Sequence, residues 1–215
     1  KKNKKKEFTP IFVTGMFRSA TTLIAKALNT HSKIVVVTDP FFQFFKSYRN
    51  EIFHSIEHED YDDERPISSN FFSKYLDVNK HINDLDMNIE FKHKNLEFVK
   101  KKIEPHCKFY CSEMLPILPK IEAKTYSELF IKLLKMVKKT YGSGNETFVG
   151  CKNTFVEQFM LPLINTFPNI KILNIIRDPR AVVASQNRSN EGSYPILFVI
   201  RHWRKSIAYT LENLD

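Results

Sequence analysis

Glycine and cysteine are scarce in this chain of 215 residues, numbering 5 and 3. With 42% hydrophobic and 27% charged residues, so little glycine describes an ordinary globular domain and excludes a repetitive or low-complexity class. The three cysteines, Cys107, Cys111 and Cys151, are an odd number without zinc-finger spacing. That excludes a fully paired disulfide framework and a cysteine-based zinc site. They read as reduced thiols in or near a core and point to a reducing, cytoplasmic compartment. No uninterrupted apolar run approaches the ~20 residues of a membrane span. The start, Lys1 to Lys6, has neither an initiator Met nor the apolar stretch of a signal peptide. The chain is therefore expected to be a piece of a longer protein, with any anchor upstream. Internal repeats are absent as well.

Positive charge is in excess, with 33 Lys and Arg against 24 Asp and Glu, a net +9. Such a balance raises nucleic acid and small polyanions as partners. Lys1, Lys2, Lys4, Lys5 and Lys6 supply much of it from a solvated tail, so residues 1–9 are set apart from one domain over 10–215. What remains is mildly basic, as suits a domain holding an anionic cofactor, and no nucleic-acid partner is expected.

Short β-branched runs alternate with helical patterns. Pro10 to Gly15 is a strand closed by glycine, Thr21 to Leu28 has helical apolar spacing, and Ile34 to Val37 is continuously apolar, as in a buried parallel strand. Thr147–Lys152 and Lys171–Ile176 repeat the strand pattern. Helices are expected over Val156–Phe167, bent or broken at Pro162, over Pro179–Arg188 with proline in its first turn, and over Pro195–Leu214. This alternation predicts an α/β fold of three layers, a parallel central sheet of P-loop NTPase-like type flanked by helices. Between about residues 41 and 145 the pattern is less regular: Phe41–Phe53, Leu96–Ile103 and Tyr126–Tyr141 read as helices, and Glu57–Arg65 as an acidic turn. Phe41, Phe42, Phe44 and Phe45 suit core packing, or the lining of a cleft.

The chemistry concentrates in Gly15-Met16-Phe17-Arg18-Ser19-Ala20-Thr21-Thr22. Against the ATP-binding pattern G-x-x-x-x-G-K-S/T, Gly15 and Thr22 match, while Ala20 replaces the second glycine and Thr21 the lysine. The strand-loop-helix setting gathers backbone amides into an anion nest. The lysine that reaches β- and γ-phosphates is missing, no acidic strand end stands out for magnesium, and Arg18 sits inside the loop. That favours a single 5′-phosphate bearing a leaving group, handled without a metal. The other reading of the loop is a polar turn with Ser19 or Thr21 as helix N-cap.

Arg18-Ser19-Ala20-Thr21-Thr22-Leu23 resembles the R-S-G-T-T-L motif of sulfotransferases that use 3′-phosphoadenosine 5′-phosphosulfate (PAPS), in the branch acting on carbohydrates and protein tyrosines. The resemblance implies that this loop binds the donor's 5′-phosphosulfate; Ala20 departs from the usual glycine. Ile176-Arg177-Asp178-Pro179-Arg180, with Ser185 eight residues after Arg177, resembles the family's 3′-phosphate motif. There the arginine leaves a strand end and the serine lies two turns into the following helix. Arg188, one turn further, is a third candidate for that phosphate. The alternative pairs Arg177 locally with Asp178.

The same resemblance suggests acid–base roles. Asp39, in Thr38-Asp39-Pro40, falls where related enzymes carry an acidic residue, and its interval from Arg18 matches without a gap that of the tyrosylprotein branch. It is the expected general base, or else an Asp-Pro turn former. Lys152, in Cys151-Lys152-Asn153-Thr154, resembles the family's K-D-P or K-T-P segment. It would stabilise anionic charge beside Arg18 in the transfer step, or else be a solvated strand-end lysine. His31 reads as structural, His81, His93 and His106 lack a motif, and Trp203 resembles a late-helix tryptophan read as core. The implied activity is in-line, metal-independent sulfo transfer from PAPS, leaving adenosine 3′,5′-bisphosphate, onto a hydroxyl of a carbohydrate, tyrosine, lipid or small metabolite. Relatives in the Golgi lumen carry an N-terminal anchor, which keeps that compartment open if an anchor was removed. Relatives also continue past this length with a segment that closes over the nucleotide, so part of the donor site is expected beyond Asp215. A P-loop kinase or NTPase and a non-catalytic polyanion-binding protein remain the rival readings.

Overall fold

Strands buried on both faces need apolar residues at every position, and β1 (Thr9–Gly15) is buried along all but its first residue. The computed structural model describes residues 8–56, 62–67, 82–186 and 194–212. Within them β1 leads to α1 (Thr21–Leu28), β2 (Ile34–Thr38), α2 (Phe42–Ser55), α3 (Leu96–Tyr110) and α4 (Tyr126–Tyr141). Then come β3 (Phe148–Lys152), α5 (Met160–Thr166), β4 (Lys171–Ile175), α6 (Pro179–Gln186) and α7 (Ile196–Glu212). The four described strands form one parallel sheet in the order β2-β3-β1-β4.

Side chains along a strand point alternately to its two faces, and the core divides accordingly. Phe12, Val35, Val37, Val149 and Cys151 join a large cluster with residues of α2, α3, α4 and α5. Ile11, Val13 and Val36 face the other way, onto Ala25, Ile24 and Leu28 of α1. That makes three layers. The large cluster is built on aromatics: Phe45 lies 5.3 Å from both Phe12 and Phe159, and Phe44 stacks on Phe130 at 5.7 Å. Each fully buried phenylalanine contributes about 1.5–3 kcal/mol of transfer free energy. Phe41, Phe44 and Phe45 are wholly buried, so core packing is their use, and Phe42 is only half-buried.

Polar caps set the helix starts. Asn95 Oδ1 accepts from the Phe98 amide at 2.9 Å, and Thr125 Oγ1 from the Glu128 amide at 3.2 Å. Two boundaries differ from the sequence pattern. The helix expected to end at Ile103 runs on to Tyr110 through Pro105, with Cys107 buried in its last turns. The segment expected to bend at Pro162 breaks earlier: a 3-10 turn at Glu157–Phe159 precedes α5, and Pro162 falls in the first turn of α5, where its missing amide costs nothing. The helix expected from Pro179 is described to Gln186. Arg188, His81, Leu214, residues 57–61 of the acidic segment and most of the basic tail lie outside the described residues. No described helix is long and apolar enough to cross a membrane.

Candidate active site

Parallel pairing brings every strand's C-terminal end to one edge. Thr38 pairs with Lys152, Lys152 with Val13, and Gly15 with Ile175. The edge therefore reads, in space, Asp39, Lys152, the Gly15–Thr22 loop and Arg177. It is the place where ligands bind in open parallel sheets, outside the carboxyl ends of the strands.

Gly15 is required where the loop leaves β1: its φ is 141°, and a Cβ there would lie 2.4 Å from the Ile175 carbonyl oxygen. Arg18 and Ala20 both adopt left-handed backbone, with φ of 61° and 66°. This folds the chain tightly into α1, the kind of turn that presents successive amides to an anion. Ala20 occupies the N-cap position, and no side chain caps the helix, so neither Ser19 nor Thr21 serves as the N-cap. Thr21 is buried, while Thr22 and Leu23 are exposed on the first turn of α1. Met16, buried with Val182 and Val199 and flanked by Trp203, anchors the loop to α6 and α7.

The two distant motifs meet. Arg177 Nη1 donates to the Arg18 carbonyl at 2.9 Å, and Arg18 Nη2 donates to the Ser185 carbonyl at 3.1 Å. Trp203 Nε1 donates to the Arg177 carbonyl at 2.8 Å, so it braces this corner. Asp178 does not take Arg177; it engages Arg180, whose guanidinium holds the Asp178 carboxyl down to about 2. Two cationic side chains thus border one loop of orphaned helix amides.

Asp39 and Lys152 are also brought together. The Lys152 ammonium donates to Asp39 Oδ2, the Asp39 amide donates to the Lys152 carbonyl at 2.6 Å, and the Thr154 amide reaches Asp39 Oδ1 at 3.4 Å. Asp39 has φ 54°, a conformation aspartate tolerates. The Lys152 side chain is 3% exposed and that of Asp39 20% exposed, so Lys152 is not a solvated strand end. An open groove of about 610 Å³ runs beside β2 and reaches Thr38, the residue before Asp39.

The sequence reading set His106 aside and missed Asn153. His106 of α3 stacks on Phe42 at 5.8 Å and feels the Asp39 charge; burial holds its imidazole below the ordinary value, against that charge. Its signal was faint: it stands three residues after buried Ile103 on the helical stripe. Asn153 is wholly buried beside Lys152, and neither its amide oxygen nor its nitrogen has a hydrogen-bond partner. The only hint was its place after Lys152. Thr14 Oγ1, Arg18 Nε and Ser19 Oγ are likewise buried without partners. Natural interiors rarely leave such groups unsatisfied; these lie at the end of β1, in its loop or just past β3, while the others among the described residues sit on Thr140, Glu157, Gln158 and Asn174. A ligand rich in acceptor oxygens fits the donors among them, Thr14 Oγ1, Arg18 Nε, Ser19 Oγ and Asn153 Nδ2.

The cysteines take no part. Burial pushes Cys107 up to about 12 and Cys111 up to about 11, and raises Cys151 as well, so all three stay as inert thiols. His31 is exposed, its Nδ1 accepting from the Lys33 amide at 3.1 Å. No curated protein matches the chain. The family model described as the sulfotransferase family matches residues 10–212, from the first strand to the end of the last described helix. The chain belongs to the sulfotransferase family.

Proposed function

We propose that this chain moves a sulfo group from PAPS to an acceptor hydroxyl, of a carbohydrate or of another biomolecule such as a protein tyrosine, a lipid or a small metabolite. The observation that carries the reading is the lock of Arg177 and Ser185 onto Arg18 around the left-handed loop. A donor with phosphate groups at both ends of its ribose needs cations from two separate motifs at one place. When bound, PAPS supplies an activated sulfo group whose bond to the phosphate is ready to break. The amides of Ser19 to Leu23 with Arg18 hold the 5′ end, and Arg177 with Ser185 holds the 3′-phosphate. Arg188, from its position in the sequence, adds a third contact there. Asn153 Nδ2 and Ser19 Oγ offer buried, unpartnered donors that the oxygens of the bound nucleotide satisfy.

The acceptor approaches from the β2 side, where the groove reaches Thr38. Asp39 takes the proton of its hydroxyl. Lys152 orients that carboxylate and, with Arg18, neutralises the negative charge that builds on the departing oxygen. A loose transition state asks mainly for this positioning and charge. The transfer step uses side chains alone, without a metal. Three free, buried cysteines suit a reducing compartment, so the cytoplasm is the proposed location.

Transfer of labelled sulfate from PAPS across a panel of carbohydrate, tyrosine-peptide, lipid and small-metabolite hydroxyls tests the activity. Wild type should label at least one class, and Asp39→Ala should not. Full activity of Asp39→Ala would remove the base assignment. Calorimetry with adenosine 3′,5′-bisphosphate tests the donor independently: binding is expected, weakened by Arg177→Ala, and binding indifferent to that change removes the 3′-phosphate assignment.

A further inference from the structure

Far along α2 from Asp39, two imidazoles and a carboxylate from three separate chain segments converge. His54 Nε2 lies 2.7 Å from Asp63 Oδ1, and His93 Nε2 lies 3.3 Å from Asp63 Oδ2. The two rings stack with centroids 3.4 Å apart and planes 16° from parallel. All three ligand atoms lie within 4.8 Å of one another. We propose that His54, Asp63 and His93 form a binding site for a divalent transition-metal ion of the zinc class.

The geometry distinguishes this cluster from an ordinary hydrogen-bonded pair. Two stacked rings aim the same nitrogen at one carboxylate and engage both of its oxygens. A zinc ion holds nitrogen and carboxylate ligands at about 2.0–2.2 Å in a tetrahedron, which places its ligand atoms roughly 3.3 Å apart. An ion lies in the plane of each imidazole that binds it, so one ring turns out of the stack to bring both nitrogens and the carboxylate onto the ion. Two imidazoles and one carboxylate match zinc, cobalt or nickel rather than magnesium or calcium, which prefer oxygen alone. The fourth position is left to water.

The scaffold holds the three segments without help from the ligand atoms. Glu51, one helical turn before His54, is 3% exposed and accepts from the amides of Lys92 and His93 at 2.9 and 2.6 Å. Asn50 Nδ2 donates to the Asp63 carbonyl at 3.1 Å, and Arg49 donates to the carbonyls of Arg65 and Pro66 at 3.0 and 2.9 Å. Residues Arg49, Asn50 and Glu51 of one helix thus fix both loops that bring the other two ligands. Neighbouring Glu64 is engaged by Lys46 and Lys102 at 2.9 and 2.7 Å, which leaves Asp63 as the carboxylate of the cluster. The three ligands keep roughly a quarter of their side-chain surface exposed, so an ion can enter.

From Phe42 to His54 α2 rises about 18 Å, so this site is separate from the Asp39–Lys152 edge. The ion acts by crosslinking α2, the Asp62–Ile67 turn and the loop before α3, which together shape the helical side of the domain. Its presence leaves the transfer reaction itself without a metal.

The test uses the chain freed of any histidine tag and stripped with chelator. Calorimetry with Zn²⁺ should show one equivalent bound. Loss of a mere supporting partner weakens metal sites 10–100-fold, so His93→Ala and Asp63→Ala should weaken binding by at least about a hundredfold. Cobalt substitution of the unaltered protein gives a second readout that does not depend on a variant folding. A visible absorption band of a tetrahedral ion, without the near-ultraviolet band of thiolate ligation, is expected. No binding, binding unchanged in both variants, or a thiolate band would each overturn the site and leave an Asp–His hydrogen-bonded clamp only.

Discussion

Lys152 and Lys205 both end on a carboxylate, and their side chains are only 3% and 1% exposed. Their partners differ. Asp39 faces the open end of the sheet with 20% of its side chain exposed, among polar atoms that lack partners. Glu157 is sealed at 1%, with the Lys205 ammonium 3.5 Å away. Lys205 also donates to the Phe155 carbonyl at 3.2 Å, fixing a turn in which Phe155 has φ 65°. Burial lowers the Lys205 ammonium below the ordinary lysine value, and the Glu157 charge pulls it back. Attraction within a sealed pair scarcely repays the loss of water, so its worth is architectural. The pair with one member open to the site is the one that can exchange a partner during a reaction.

The sharpest way to break that distinction is to neutralise each pair in turn. Asp39→Asn keeps the shape and removes the proton acceptor, so turnover with PAPS should fall by about 10²–10⁴-fold, the range for a general base. Its unfolding midpoint should move little. Lys205→Ala should do the opposite, costing about 3–5 kcal/mol by stranding a buried carboxylate, while folded molecules turn over normally. Denaturant unfolding beside steady-state transfer reads both. A Lys205→Ala protein of full stability and low turnover would dissolve the contrast. Replacing both members, Lys205→Met with Glu157→Leu, should recover most of the lost stability, since no charge is left unpaired.

A smaller effect separates binding from chemistry. Arg177→Ala removes one cationic contact, with about 1.5–3 kcal/mol at stake. Affinity for adenosine 3′,5′-bisphosphate should drop about ten- to a hundredfold by calorimetry. Asp39→Asn should leave that affinity unchanged, because the proposed role of Asp39 is toward the acceptor.

The edge carrying the candidate site was legible because most of its residues follow strand ends, where spacing along the chain becomes position in space. Arg18, Asp39, Lys152, Arg177 and Ser185 were singled out by their resemblance to sulfotransferase motifs, whereas the parallel sheet with its flanking helices followed from the alternation of strand and helix patterns. The helical middle was not. Its start sites rest on caps such as Asn95 and Thr125, readable only once the helices are known. Its Asp63 cluster joins residues from three segments with no shared periodicity. His106 was set aside and Asn153 missed for a related reason: their meaning lies in what surrounds them, a carboxylate across a helix for one and the lack of any partner for the other. Pro162 misled because a proline reads as a break unless one knows it sits in a first turn.

The smallest effect tests the loop itself. Ala20 holds φ 66° at the N-cap of α1, where a methyl group crowds the carbonyl and a glycine does not. The related motif has glycine at this place, and the backbone here shows the physical reason. Ala20→Gly relieves strain of about 1–2 kcal/mol in the folded state. Glycine's freer unfolded chain takes back part of that, so a net gain of about 1 kcal/mol is expected in denaturant unfolding. Donor affinity should rise or hold, because the loop keeps its shape and loses a methyl group near the phosphate. Ala20→Val should act in reverse, since a β-branched residue is a severe outlier at this φ. A loop indifferent to both changes would mean that the left-handed turn is not what shapes the anion site. The weight would then pass to Arg18 and Arg177 alone.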